Sequence, residues 1–303
     1  MNLTLRQLEV FRAIARNGNV GRAAQEVSMT QSAASMALSE LEKQLGVRLF
    51  DRPGRRIVLN HNGVRLLGEV DELLERAAEI EALFSSRTQA PSGLLRIGAS
   101  STIGNYLMPA LIGTFSDRFP EVRVRLTIGN TEQIIGRLLN SEIDLGYVEG
   151  SCSDSRIQSS VWREDRLVIF CAPDYPLAAR PECQRKELLN ESWILRESGS
   201  GTREVFERAL LRHGEVLNIR YEFGHTEAVK QAVRSGMGIG CLSRLAIQDE
   251  LQRGSLVELS RPLVDLRRDL LQLVRAGKYR TDCMKAFTDT VRRVPGELDS
   301  SGL

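Results

Sequence analysis

The stretch that most constrains this chain is residues 3–45, where apolar residues recur at three- and four-residue spacing and two of the runs are only three residues apart. Leu3, Leu5, Leu8, Val10, Phe11, Ile14 and Ala15 predict an amphipathic helix over about 4–16, stopped by Asn17 and Gly18. Val20, Ala23, Ala24 and Val27 predict a second, short helix over 20–27, whose alanines permit close helix–helix approach. Ser28-Met29-Thr30 makes a turn. A third helix is predicted from Gln31 to about Gln44, with Ala33, Ala34, Leu38, Leu41 and Leu45 on its buried side. Thr30 suits its N-cap, since a hydroxyl there accepts from a free backbone N–H of the first turn.

Two short helices joined by a three-residue turn are a helix-turn-helix pattern, whose second helix places its N-terminal side chains in the DNA major groove. Gln31, Ser32 and Ser35 occupy that position, and Gln pairs bidentately with adenine. The following VRLFDRPGRRIVLNHNG reads as a β-wing whose tip carries Arg52, Arg55 and Arg56 toward phosphates or the minor groove. The alternative is a plain three-helix domain with a solvated basic hairpin. Charge distribution bears on the choice. The formal net charge of +2 is +4 over residues 1–60, −3 over 61–90 and +1 over the rest, so the near-neutral total hides a basic head.

A chain of 303 residues exceeds one ordinary core, so two or three domains are expected. Charged residues make up 26% and no apolar run nears the roughly 18 residues of a membrane span, so no membrane partner is expected. MNLTLRQLEVFRAIARNG has no uninterrupted apolar stretch of the secretory type. Five cysteines (152, 171, 183, 241, 283) are scattered and never spaced as CxxC, which disfavours a disulfide framework or zinc site. Reduced thiols and a cytoplasmic location are the expectation, with neither metal nor cofactor.

AAQEVSMTQSAASMALSELEKQLGVRLFDR resembles the N-terminal signature of LysR-type transcriptional regulators. Ala23-Ala24, Gln31, Ala33, Ser35, Leu38, Leu41-Glu42, Leu45-Gly46, Leu49-Phe50 and Arg52 fall where that pattern places them. The similarity runs through nearly the whole chain. One departure is Met36, where many members carry Arg or Lys; phosphate contacts from this helix would then be fewer, or a methionine there would touch a thymine methyl. The resemblance implies an N-terminal winged helix-turn-helix, a long linker helix and a C-terminal α/β effector domain of two subdomains, similar in fold to periplasmic solute-binding proteins.

The linker follows from periodicity as well. Leu66, Val70, Leu73, Ala77, Ile80 and Phe84 step by four, three, four, three, four, a heptad seam with acidic residues beside it. Packing onto the helix's own domain would give the same stripe; family members dimerise through this helix. The expected division is 1–61 for the DNA-binding domain, 62–88 for the linker, a hinge at 89–93 and an effector domain at 94–303. Within the last, subdomain I takes 94–161 and 267–303, and subdomain II takes 162–266.

In the body, short apolar runs at 94–99, 122–128, 143–148, 167–171 and 193–195 alternate with helical stretches near 103–120, 131–140 and 202–213. Further apolar runs lie at 238–242 and 270–274. This alternation predicts βαβ units, hence a parallel sheet with helices on both faces. Ser100-Ser101-Thr102 stands where a strand hands over to a helix, which suits either an anion or simple N-capping. Gly199-Ser200-Gly201-Thr202-Arg203 is a second such turn, without P-loop spacing. Related regulators of sulfur assimilation bind their effectors near positions matching Ser100, Thr102, Glu149 and Thr202. Glu149 repels an anion unless an Arg such as Arg203 offsets it or the ligand carries a proton or ammonium group; otherwise it is a salt-bridged rim residue. Thr226 in Gly224-His225-Thr226-Glu227 and the glycine-rich 236–240 stretch are further cleft-side turns, the latter serving close packing equally well.

Enzyme readings find little support. The three histidines (61, 213, 225) lie far from any Cys and not in HExxH spacing, and there is no GxSxG or GxGxxG after a strand. Cys241 reads as a buried structural thiol. The expected protein is a ligand-responsive regulator, not an enzyme, with double-stranded operator DNA, a small polar or anionic effector such as sulfite or a small carboxylate, its own copies as homodimer and homotetramer, and RNA polymerase as partners. An enzyme or a plain ligand-binding protein built on the α/β body is the alternative.

Overall fold

Thr4 opens the first helix, α1 (Leu5–Asn17), with a capping box: its hydroxyl accepts from Gln7 N, and the Gln7 side chain accepts from Thr4 N. Gly18, at φ 59°, ends it in the left-handed region. Asn19 caps α2 (Val20–Glu26) and Thr30 caps α3 (Gln31–Leu45), each side chain accepting a first-turn N–H. Side chains thus satisfy donors that every helix start leaves open, and the three boundaries fall within a residue or two of their sequence-based positions. Strands β1 (Phe50–Asp51) and β2 (Val58–Leu59) pair antiparallel and lead into α4 (His61–Phe84).

This computed structural model describes residues 3–51, 57–84, 90–180, 185–211, 216–259 and 265–294. The chain forms two compact units: residues 1–90 with 140–142 and 277–282, and residues 91–139 with 143–276 and 283–303. In the first, Phe11 and Ile14 of α1, Ala23 and Ala24 of α2, and Ala34, Leu38 and Leu41 of α3 close one core with Phe50, Val70 and Leu74. Gly63 fits because a Cβ there would lie 2.1 Å from the Leu49 carbonyl oxygen. Asp71 of α4 is buried and pairs with Arg16 of α1 at 2.8 Å.

The second unit starts with β3 (Gly93–Ser100), α5 (Ser101–Tyr106) and α6 (Met108–Arg118). The single helix expected near 103–120 is broken at Leu107, because Pro109 lacks an N–H and its ring excludes the carbonyl four residues back. Then follow β4 (Val122–Gly129), α7 (Thr131–Leu139), β5 (Leu145–Glu149) and the long β6 (Ile157–Cys171). The chain continues through α8 (Arg185–Asn190), β7 (Trp193–Arg196), α9 (Gly201–Leu210), β8 (Ile219–Phe223), α10 (Thr226–Arg234), β9 (Ile239–Ser243) and α11 (Arg244–Gln252). It ends with β10 (Val257–Glu258), β11 (Arg267–Arg275) and α12 (Asp282–Arg293).

The strand order is β4-β3-β5-β11-β6-β9-β7-β8, with β10 on β6. Pairings β3/β4, β3/β5, β7/β8 and β7/β9 are parallel, as βαβ units require. The sheet is not parallel throughout. β11 is antiparallel to both β5 and β6, and β6 to β9. The reason is topological: β6 carries the chain from the first half of this unit to the second, β11 brings it back, and the two meet side by side in opposite directions. Each half has its own apolar interior, Ile97, Phe115, Tyr147 and Phe287 in one and Trp193, Phe206, Ile239 and Leu210 in the other.

One polar contact stabilises the first half. Asp144 accepts from Arg96 N (2.8 Å), Arg96 Nε (3.1 Å) and Arg96 Nη2 (2.8 Å), with both residues buried. Asp144→Ala removes the carboxylate that accepts three Arg96 N–H groups in a buried site and is expected to cost about 3–5 kcal/mol. Both tryptophans, Trp162 and Trp193, lie in this unit. Urea unfolding of the full chain followed by tryptophan fluorescence checks the value, and the Arg96→Met/Asp144→Leu pair should recover much of the loss.

Candidate DNA-reading face and effector pocket

On α3, Ala34, Leu38 and Leu41 are buried, whereas Thr30, Gln31, Ser32 and Met36 are exposed and Ser35 is half-buried. Thr30 is engaged as the N-cap, its hydroxyl also 3.1 Å from that of Ser32. Gln31, Ser32, Ser35 and Met36 therefore all present surface to solvent within the first two turns of the helix, Met36 farthest from its buried side. The wing arginines Arg52, Arg55 and Arg56 lie outside the described residues, between the paired strands β1 and β2.

The stripe on α4 divides. Val70 is buried and Leu66 half-buried in the core of their own domain, together with Leu74, so these two are not free to form an intermolecular seam. Leu73 and Ile80 are exposed at 47% and 48%, and Ala77 between them is half-buried. The side chain of Phe84 lies outside the described residues. Packing onto its own domain thus claims the first two turns of the stripe, and exposed apolar residues follow.

In the second unit, two buried arginines gather the hydroxyls named from sequence. Arg268 of β11 pairs with Asp165 of β6 at 2.6 Å, their side chains only 1% and 0% exposed. Its Nη1 donates to Thr202 Oγ1 (2.9 Å) and its Nη2 approaches Thr102 Oγ1 (3.5 Å). Arg196, at the end of β7, donates through Nη1 to Thr226 Oγ1 (3.1 Å) and through Nη2 to Ser101 Oγ (3.2 Å). Each guanidinium thus spans both halves, Ser101 and Thr102 belonging to α5, Thr202 to α9 and Thr226 to α10. Arg196 is itself held by Glu197, which also accepts from Asn130 Nδ2 at 3.1 Å. Burial acts to raise the Glu197 carboxyl, but hydrogen bonds and charge from Arg196 outweigh it and hold it below the usual range.

Glu149 is buried, and its Oε1 accepts from Thr102 N at 3.2 Å. Its backbone carbonyl accepts from Thr131 Oγ1, and a Cβ on Gly201 would lie 2.2 Å from that oxygen. Gly201 is therefore a close-approach residue between β5 and α9. Ser100 is buried and donates to Tyr147 O, while Ser101 Oγ donates to Gly129 O. Arg203 does not join this group. It pairs with Glu207 (2.8 Å) and Glu222, and its Nη1 donates to Arg196 O, so its charge is committed to those partners rather than to Glu149.

Sequence reasoning missed both arginines. Arg196 closes an otherwise apolar strand, Trp193-Ile194-Leu195, and Arg268 shares strand phase with buried Leu270 and Gln272. A charged side chain in phase with a buried face was the available signal.

Burial disfavours the thiolate form at two cysteines of this unit. Burial pushes the Cys241 thiol far up, and it pushes Cys171 up to about 11. Among the described residues, no group of His, Cys, Asp and Glu is arranged to hold a metal, and no helix is long and apolar enough to cross a membrane.

Residues 5–64 match the family of bacterial regulatory helix-turn-helix proteins of the lysR type, and residues 88–295 match the LysR substrate binding domain. The chain is 43% identical over 289 residues to the uncharacterized HTH-type transcriptional regulator YeiE of Escherichia coli (strain K12), covering 95% of this chain and 97% of that protein. Among solved structures, a cysteine-to-aspartate variant of full-length OxyR from Pseudomonas aeruginosa has the same fold, with TM-score 0.77, 22% identity and coverage of 97% and 96% of the two chains. The regulatory domain of Synechocystis PCC6803 CcmR, solved in complex with 2-PG, has TM-score 0.62 and 32% identity, covering 66% of this chain and 96% of that one.

Thiol mapping tests the inert-cysteine assignment. Brief alkylation of the native protein at mildly alkaline pH, followed by peptide analysis, should label half-exposed Cys152 and leave Cys171 and Cys241 unmodified. Rapid labelling of Cys241 would reopen a catalytic reading.

Proposed function

Because the chain belongs to the LysR family of DNA-binding transcriptional regulators, with an effector-binding domain at its C-terminal side, we propose that its effector is a small oxyanion or zwitterion held by the arginine–hydroxyl cluster. The observation that carries this reading is the pair of buried guanidinium groups, each donating to hydroxyls from both halves of one domain. A hydroxyl has one proton and two lone pairs. Thr102, Thr202 and Thr226 accept from the arginines, which leaves each O–H to donate to a ligand. The first turns of α9 and α10 add the positive ends of two helix dipoles. A relative solved with 2-PG in the corresponding domain supports a small ligand of this kind.

Glu149 narrows the choice. Its carboxylate already accepts the Thr102 N–H, taking a donor that a bare anion would use. A ligand that brings its own proton or ammonium group turns Glu149 from a repulsive neighbour into an acceptor. Hydrogensulfite meets that requirement, as does an amino acid; sulfate at neutral pH does not. Sulfite is the preferred member of the class. Ligand binding would change operator affinity to the extent that it favours one arrangement of the domain over another.

For the DNA end, Gln31, Ser32 and Ser35 would read bases, and Arg52, Arg55 and Arg56 would hold phosphates or the minor groove. The exposed Leu73–Ile80 segment of α4 would contribute to self-association, and RNA polymerase would be a further partner.

Two measurements test this reading. In a thermal-shift series at fixed ionic strength, a ligand present at 100 times its Kd stabilises by about 2.7 kcal/mol, hence raises Tm by several degrees. Sulfite or a zwitterion should do so and sulfate should not. The Thr102→Ala/Thr202→Ala variant should lose the effect; equal stabilisation of parent and variant places the ligand elsewhere. In salt-titrated DNA binding, Arg55→Ala should weaken all sequences alike and reduce the log–log salt slope by about 1, whereas Gln31→Ala should change sequence preference. An unchanged slope for Arg55→Ala removes the wing from the interface.

A further inference from the structure

We infer that Met36 is a specificity-determining residue that reads the C5-methyl group of a thymine in the operator half-site. The inference rests on α3 being the recognition helix.

Its position carries the argument. At 3.6 residues per turn, Met36 lies roughly 170° around the helix axis from the centre of the buried trio Ala34, Leu38 and Leu41. It is thus the outermost large side chain of α3, and it is 72% exposed. Its neighbours on that side are polar: Ser32 one turn before, Ser39 and Glu40 one turn after. When a helix enters the major groove, the side chain opposite its buried face meets the base edges. Those edges offer hydrogen-bond donors and acceptors and one apolar group, the thymine methyl. A thioether donates nothing and accepts only weakly, so covering a polar group leaves it desolvated and poorly partnered, which costs free energy. Against a methyl group the same side chain buries apolar surface on both partners. Met36 therefore discriminates by its cost against other bases as much as by its gain with thymine.

The rest of α3 points the same way. Its single cation, Lys43, lies in the last turn, 4.0 Å from Glu40. No Arg or Lys of this helix stands beside Gln31, Ser32 and Ser35 to take the paired acceptors of guanine. Gln31 suits adenine and Met36 suits thymine, so this helix is equipped for A·T pairs.

The test uses the full-length protein and a duplex obtained by in vitro selection with that protein. Each thymine of the half-site is replaced in turn by deoxyuridine, which removes only the methyl group. One position should weaken parent binding by roughly three- to tenfold, the value of about one buried methyl-sized contact. Met36→Ala should bind the thymine and deoxyuridine duplexes equally at that position, and Met36→Leu should restore discrimination. Placing 5-methylcytosine for cytosine there should bind more tightly than cytosine with the parent only. Met36→Ala adds a good helix former at an exposed site, so folding is preserved. Gln31→Ala on the same duplexes reports separately on α3 as reader. A parent protein indifferent to every thymine methyl, or a Met36→Ala variant that discriminates as the parent does, overturns the Met36 contact without touching the helix assignment.

Discussion

The effector domain depends on an ion pair that is fully removed from water where its two halves meet. Arg268 on the returning strand and Asp165 on the outgoing strand are 1% and 0% exposed and 2.6 Å apart. Taking two such charges out of water costs several kcal/mol per ion, and only close geometry with further hydrogen bonds offsets it. Asp165 receives those bonds from Arg268 Nε (2.7 Å) and Ser243 Oγ (2.8 Å). Arg268 completes its set by donating to Thr202 and by its longer approach to Thr102. The halves are therefore joined by more than their shared strands: a buried charge finds its remaining acceptors in both. A ligand bound to the Thr102 and Thr202 hydroxyls would alter how the two halves share Arg268, which is the kind of differential contact a population shift requires.

What was legible in the sequence follows the range of the forces involved. The three N-terminal helices depend on spacing, on caps at Thr4, Asn19 and Thr30 and on glycine stops at 18 and 46, all local, and their boundaries could be read almost residue by residue. The strands of the body were legible as apolar runs, but their pairing was not. Nothing near Ile157 or Arg267 says that two strands will run antiparallel between otherwise parallel halves; that follows from the chain having to cross and return. The hydroxyls Ser101, Thr102, Thr202 and Thr226 were visible because each begins a helix. Arg196 and Arg268 were not, because an arginine at the end or start of an apolar run, the latter beside Arg267, looks like a solvated strand terminus. Arg203 stands next to Thr202 in the chain, yet consecutive helix residues point about 100° apart, and it turns to Glu207 and Glu222.

The linker helix shows a different limit. A four-three repeat is the signature both of a coiled-coil seam and of a helix lying on its own domain, since both need one apolar face. In this chain the repeat meets the second need at its start and leaves an apolar face outward beyond it. Its start, at Leu66 and Val70, is used against α1, where Asp71 adds an ion pair to Arg16; the stretch from Leu73 to Ile80 leaves apolar side chains outward. Periodicity shows that a face exists. Only the arrangement of α1 against the first turns shows where its use changes.

The chemistry of the pocket bears on why a sensor would be built from arginines behind hydroxyls rather than from arginines alone. A guanidinium placed directly against an anion gives a strong, charge-assisted contact that most oxyanions share. Here Arg196 and Arg268 are already neutralised by Glu197 and Asp165, and they would act on a ligand through Thr102, Thr202 and Thr226, since the Ser101 proton is already donated to Gly129 O. Donating to a hydroxyl polarises it, so its own proton becomes a better donor while the net charge stays small. Hydroxyls also discriminate by geometry, since each offers one proton in one direction. With Glu149 set against the same helix start, the proposed site would select a ligand by the placement of its proton as well as by its charge. A coupling of only about 1–3 kcal/mol between such a ligand and a second site suffices for allosteric control. That modest requirement is what a neutralised, hydroxyl-mediated site is suited to meet, because it yields selectivity without binding its ligand too tightly to release it.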